Sequence, residues 1–246
     1  MKIYFASDFH LGVPDYPSSL DREKSICRWL EMAAQDATEI YLLGDVFDFW
    51  FEYKNAVPKG FTRLLGTLSS LTDRGISVTL FKGNHDMWMF GYLAKECGVN
   101  IVSDELIMER NGKRFFLHHG DGLGPGEYGY KILRRIFRSP ICQSLFGFLH
   151  PSLGISLASR MSKKSRIQQK GRHETYLGDD KEYLTIFAQS YLQKFPIDYF
   201  VFGHRHLALD IAVGENSRYI NLGEWMHQKQ YAVFDGHQLH LLAWEK

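Results

Sequence analysis

One juxtaposition constrains this chain more than any other. Five short runs of β-branched and aromatic residues are each followed by a polar motif. The runs are Ile3–Ala6, Ile40–Leu43, Val78–Phe81, Phe115–Leu117 and Tyr199–Phe202, and their length and composition predict strands. The motifs are Asp8-Phe9-His10, Gly44-Asp45, Gly83-Asn84-His85-Asp86, His119-Gly120-Asp121 and Gly203-His204-Arg205-His206. Between the first three strands the pattern turns helical. Ile26, Trp29, Leu30 and Ala33 mark one helix within Leu20–Ala34, and Phe61, Leu64, Leu65, Leu68 and Leu71 mark another that stops at Gly75,. Strand–helix alternation predicts parallel strands joined by crossovers. Ligands of such sheets bind beyond the carboxyl ends of the strands, where all five motifs lie.

The C-terminal part reads differently. Tyr231–Phe234 and Leu239–Trp244 flank Asp235-Gly236, a hairpin signal,, and are expected to close a second layer. The fold class is therefore α/β, a two-layer mixed β-sandwich flanked by helices. Residues 1–121 and 196–246 form its core, and 122–195 an inserted helical cap. The cap carries apolar clusters (Ile132, Leu133, Ile136, Phe137, then Leu145, Phe146, Phe148, Leu149) interrupted by Pro140 and Pro151. From Tyr128 to Arg172 it holds ten Lys or Arg and no Asp or Glu. Such a surface attracts phosphates or anionic headgroups. Its interleaved apolar side chains suit a membrane surface better than a nucleic-acid groove, which needs stacking aromatics among its cations.

A hydrophobic share of 45% with 23% charged residues excludes global disorder,. The three cysteines, Cys27, Cys97 and Cys142, form no CxxC pair, so a reducing compartment is expected. Met1-Lys2 passes at once into the first strand without a leader-like stretch,. No run reaches the roughly 20 apolar residues of a membrane span. The expected location is cytoplasmic.

The polar residues have the chemistry of a metal centre. Carboxylate, carboxamide and imidazole suit manganese, iron or zinc, and the absence of cysteine among them argues against structural zinc. Strand alternation is expected to turn Asp8 and His10 to one side with Phe9 packed behind, and to do the same for His204 and His206. Asp45, with two carboxylate oxygens, suits a bridge. Glycines 44, 83, 120 and 203 permit close approach to a ligand. His118 is read as a core histidine. Two cations roughly 3.5–4 Å apart activate water and support in-line displacement at phosphorus. His85 is the candidate to stabilise the transition state or protonate the leaving oxygen, with Asp86 orienting its ring.

The motifs D-x-H, GD, GNHD, a histidine and GH-x-H extend over about 200 of the 246 residues. In this order they resemble the calcineurin-like metallophosphoesterase superfamily. The resemblance implies that Asp8, His10, Asp45 and His206 hold one metal, and Asp45, Asn84, His119 and His204 a second. Two divalent ions are implied, manganese first, with iron or zinc as alternatives. Asp-Phe-His-Leu-Gly, Gly44-Asp-Val-Phe-Asp-Phe-Trp50 and Ala158-Ser-Arg160-Met-Ser are further similar to the UDP-2,3-diacylglucosamine pyrophosphohydrolase family of lipid A synthesis. That likeness implies a nucleotide-sugar lipid cut at its pyrophosphate to UMP and an acylated sugar phosphate, at a membrane surface. It also implies contacts from Arg160 and Lys164, with Asp121 and Tyr128 near the sugar. The best-known members have arginine where this chain has His85, the residue of the wider superfamily. The alternatives are a soluble enzyme acting on another phosphodiester, pyrophosphate or phosphomonoester, and an inert scaffold, against which all seven metal donors speak.

Overall fold

Strand β1 (Lys2–Ala6) is buried from Ile3 onward, so both of its faces need cover. In the computed structural model, which describes residues 2–126, 128–169, 175–178 and 181–245, alternation divides that cover between two layers. Ile3 and Phe5 enter the layer between two sheets. Tyr4 and Ala6 face α1 (Tyr16–Ala33) and α2 (Thr62–Asp73), which bring Ile26, Trp29, Leu30, Leu64, Leu68 and Leu71.

The first sheet adds β2 (Ala37–Leu42), β3 (Ser77–Phe81) and β4 (Asn100–Val102) in parallel beside β1, with α3 (Tyr92–Cys97) before β4. On β1's other side lie β10 (Gln230–Phe234) and β11 (Leu239–Ala243), both antiparallel. The C-terminal hairpin thus joins the first sheet, and its expected place in a second layer is corrected. Pairing Ile3 with Phe234 and Phe5 with Ala232 brings Ala232, Phe234 and Leu239 into the inter-sheet layer from β1's own side.

The second sheet is β5 (Leu106–Arg110), β6 (Lys113–Leu117), β7 (Tyr199–Phe202), β9 (Arg218–Leu222) and β8 (Ala208–Ala212), in that order. Its opening hairpin turns on Asn111 and Gly112, at φ 50° and 72°. Two left-handed residues make the tight turn that matches strand twist. Phe115 and Leu117 face the first sheet. Phe116, Phe200, Phe202 and Tyr219 face outward onto α7 (Tyr183–Leu192). That helix lies within the range read as cap, but Leu184 and Ala188 pack on the second sheet, so it belongs to the core.

The part that leaves the core is α4 (Tyr128–Phe137), α5 (Pro140–Gly147) and α6 (Pro151–Gln169). Phe137 and Phe146 anchor it on Phe51 and Trp88, and the Trp88 indole donates to the Phe137 carbonyl at 2.8 Å. Ile132, Ile136, Ile141, Leu145, Phe148 and Leu153 remain exposed. No helix among the described residues is long and apolar enough to cross a membrane.

Helix α2 shows how the outer layer is fastened. Its N-cap, Phe61, offers no side-chain acceptor. Buried Glu23 of α1 instead accepts the backbone N–H groups of Arg63 (2.9 Å) and Leu64 (3.1 Å). Glu23→Ala leaves both donors without that acceptor and is expected to lower stability by about 1–3 kcal/mol. Urea unfolding measures this, and bound metal should be unchanged.

Candidate metal centre

Beyond Ala6 the chain stops pleating. Asp8 and His10 stand in a loop at φ 56° and 45°, Asp45 at 52°, and His204 and His206 at 68° and 52°. Alternation along a strand is therefore not what aligns Asp8 with His10. Each is a left-handed residue past the strand end, and the pair at 204 and 206 repeats the device. Such conformations cost roughly 1–3 kcal/mol each and persist only where the surroundings enforce them. Here Asp8 N–H donates to Gly44 O (3.1 Å) and His10 N–H to Asp45 O (2.9 Å), so the loops run side by side. Buried Arg22 donates to the carbonyls of Phe9 and His10, each at 2.7 Å, and of Val13. Phe9 packs behind, against Trp29 and Trp225.

These loops bring seven donors together. His10 Nε2 lies 3.6 Å from Asp8 Oδ1, 3.7 Å from Asp45 Oδ2 and 3.0 Å from His206 Nε2. His206 Nε2 is 3.3 Å from Asp8 Oδ1. On the other side His119 Nε2 is 3.4 Å from Asp45 Oδ2 and 3.0 Å from Asn84 Oδ1, which is 2.8 Å from His204 Nδ1. Asp45 Oδ2 belongs to both groups. Ligands about 2.0–2.2 Å from one cation stand roughly 3–3.7 Å apart, so the spacings fit two ions.

Two further observations support that fit. Asp8 Oδ1 is buried with no hydrogen-bond partner, while Oδ2 accepts His204 N–H at 2.9 Å. His119 Nδ1 meets the Leu43 carbonyl at 2.7 Å and so carries the ring proton. Its Nε2 stands 3.0 Å from the Asn84 oxygen, a contact that a second ring proton makes in the protein alone and that a cation would take over once that proton leaves,. There is no room behind the donors: a Cβ on Gly83 would collide with the Asp45 carboxylate, and one on Gly203 with that of Asp8.

The charges respond to this crowding. Burial by itself raises Asp8 and Asp45, yet the surrounding histidines hold both carboxyls far below the usual range. Burial likewise lowers His10, but Asp48, Asp8 and Asp45 outweigh it and lift the ring to about 9. Burial lowers His119 too, but Asp45 and Asp8 outweigh it and hold the ring well above the usual range. In the protein alone, protons on imidazole balance the carboxylates, and a divalent ion takes over that task by displacing them.

The other expected residues divide. His85 stands at the cluster, its ring 5.0 Å from that of His10 and its N–H on Asp45 Oδ1 at 2.8 Å. Asp86 does not orient it. The Asp86 carboxylate accepts N–H groups from Gly83 (2.8 Å), Asp45 (3.2 Å) and Phe47 (3.2 Å), and burial together with Asp45 lifts it to about 7. The partner of His85 is Asp48, whose carbonyl is 3.1 Å and carboxylate 3.5 Å from His85 Nδ1. Ser162 of α6 donates to Asp48 Oδ2 at 2.9 Å and lies 3.3 Å from the same nitrogen. Both lie in runs singled out in the sequence, Asp48 in Gly44–Trp50 and Ser162 at the end of Ala158-Ser-Arg160-Met-Ser, but nothing in either run marks it as a partner of His85.

Asp121 is buried, accepting from the Tyr130 hydroxyl at 2.6 Å and paired with Arg134 at 2.9 Å. Tyr128, expected near the sugar, is 75% exposed, so it is not the residue that meets Asp121. Tyr130 stands there instead, its ring 6.3 Å from that of His204. Arg160 is exposed on α6, and the Lys164 side chain lies outside the described residues. His118 is a core histidine as expected, lowered to about 4 by burial and accepting Gly120 N–H at 2.8 Å.

Residues 1–208 match the family model described as calcineurin-like phosphoesterase. The chain is 38% identical to UDP-2,3-diacylglucosamine hydrolase of Porphyromonas gingivalis, covering 99% of this chain and 98% of that protein. Identity to the protein of the same name from Aeromonas salmonicida is 28%, over 95% and 89%. The solved structure of Yfce, a phosphoesterase from E. coli, aligns over all of both chains with a TM-score of 0.48 and 17% identity.

Asn84→Ala removes the oxygen set between His119 and His204 and leaves the Asp8–His10–His206 group intact. Elemental analysis of the purified variant should find metal reduced from two ions per chain to one.

Proposed function

Because the chain belongs to the calcineurin-like phosphoesterase family and is a metal-dependent hydrolase, we propose that it cleaves the pyrophosphate of UDP-2,3-diacylglucosamine to UMP and 2,3-diacylglucosamine 1-phosphate. The observation that carries this reading is the end-to-end likeness to the Porphyromonas gingivalis enzyme of that name. A groove of about 1410 Å³ supports it, running from Asp48 and His206 between α6 and the 57–61 loop. Ligand pockets for drug-sized molecules are roughly 300–1,000 Å³, so this groove has room for a nucleotide sugar bearing acyl chains. Arg28, Lys59 and Lys229 offer charge to its phosphates, and Val57, Phe61 and Ile155 offer apolar wall.

Asp8, His10, Asp45 and His206 would hold one divalent ion, manganese by preference, and Asp45, Asn84, His119 and His204 the other. When bound, the ions supply Lewis acidity toward water and the phosphoryl oxygens. Water adds to one phosphorus, and the bridging oxygen leaves with the other phosphate and takes up a proton. His85, set by Asp48, faces the charge that develops and is the donor to it. By the likeness to the UDP-2,3-diacylglucosamine pyrophosphohydrolase family, Asp121, which accepts the Tyr130 hydroxyl, and Tyr128 would lie near the sugar, and Arg160 and Lys164 would contact phosphate. The basic cap with its exposed isoleucine, leucine and phenylalanine side chains rests on an anionic membrane face at the cytoplasmic side, where the substrate's acyl chains are anchored.

Incubation with Mn2+ and UDP-2,3-diacylglucosamine in detergent micelles should release UMP. No UMP, with brisk cleavage of bis-p-nitrophenyl phosphate, would reject this substrate in favour of another phosphodiester. In the same assay His85→Ala should lower turnover by about 10²–10⁴ at unchanged metal content. Loss of metal would make His85 a ligand instead.

A further inference from the structure

Arg205 stands between the two histidines of the last motif, and its side chain turns away from them. The guanidinium is almost wholly buried and grips Glu182, itself fully buried at the N-terminus of α7. Arg205 Nε donates to Glu182 Oε2 at 2.9 Å and Nη2 to Oε1 at 2.6 Å. Nη2 also reaches the Thr175 carbonyl at 3.0 Å, and Leu177 N–H donates to Glu182 Oε1 at 3.0 Å. Planar two-pronged contact of this kind fixes direction as well as distance. Its backbone consequences are local. His204 and His206 both hold left-handed conformations, and Arg205, the residue between them, is anchored at its far end by Glu182.

Burying two charges is a poor way to gain stability, since well-packed apolar residues usually serve as well. A buried pair between two metal donors therefore calls for another reason. We propose that the Glu182–Arg205 pair is a positioning device that sets His204 and His206 at the spacing two divalent ions require. The proposal rests on reading those histidines as metal donors. Neither residue belongs to the cluster of seven, so the effect falls on ion affinity rather than on the chemical step.

The test uses the full chain and Mn2+ itself, with affinity from calorimetry and stability from thermal unfolding in EDTA. Arg205→Met combined with Glu182→Leu removes both charges of the pair together. Arg205→Lys keeps the charge balance but loses the fork, and it carries the test if the double variant does not fold. Both are expected to unfold cooperatively without metal, yet bind Mn2+ at least about 10-fold more weakly, the size found when partners behind metal ligands are lost. Parent-like Mn2+ affinity in either folded variant would overturn the positioning role and leave the pair a structural tie. If the parent chain binds no Mn2+, the reading of His204 and His206 as donors fails first, and the proposal with it.

Discussion

The rest of the structure depends on the concentration of electron-rich atoms at one end of the sandwich. Two buried carboxylates, four imidazoles and an amide oxygen lie within hydrogen-bond range of one another with too few protons to pair them. In an apolar interior such a cluster is unfavourable unless positive charge sits inside it. The shifts of Asp8, Asp45, His10 and His119 express that demand in the protein alone, and divalent metal would meet it more completely. Much of the nearby architecture keeps those atoms from drifting apart. Arg22 holds the first loop from below, Asp86 gathers three backbone donors beneath the second and third, and Phe9 is locked between tryptophans.

The sheets set the distance over which this works. Parallel β1, β2 and β3 end at one level, and β6 and β7 end opposite them in the second sheet. Five loops therefore meet without a long excursion. The left-handed residues at 8, 10, 45, 204 and 206 then turn side chains inward over a single step of chain. Their conformational cost is local, and the inter-sheet layer of Phe5, Phe115 and Phe234 supplies the rigidity that sustains it.

Much of this was legible beforehand, because donor chemistry and strand ends are both written in residue type. The seven residues that the structure gathers could be named since few other roles place Asp, Asn and His after strands in that order. What escaped depended on three-dimensional direction. A strand pattern does not say which sheet a strand joins, so the C-terminal hairpin was assigned to the wrong layer. The Asn111-Gly112 turn that opens the second sheet went unused. Adjacency suggested Asp86 as partner for His85, but successive side chains in a tight turn diverge, and Asp48 arrives from another loop. Tyr128 and Tyr130 are two apart on a helix and nearly opposite in direction, so one faces solvent while the other meets Asp121. Ser162 closes the Ala158-Ser-Arg160-Met-Ser run, but its contact with Asp48 comes only from where α6 crosses the core.

The glycines at 83 and 203 carry a consequence for how this protein can change over generations. With no space for even a methyl group beside Asp45 or Asp8, the centre has almost no mutational slack, and most substitutions at its back wall would abolish it. Selection for a different substrate is left to act elsewhere. The helices that leave the core touch it through a few aromatic and ionic anchors, so they can lengthen, shorten or exchange side chains while the chemistry stays fixed. A frozen reaction centre beside a permissive lid is a division that lets one fold diversify by specificity rather than by mechanism.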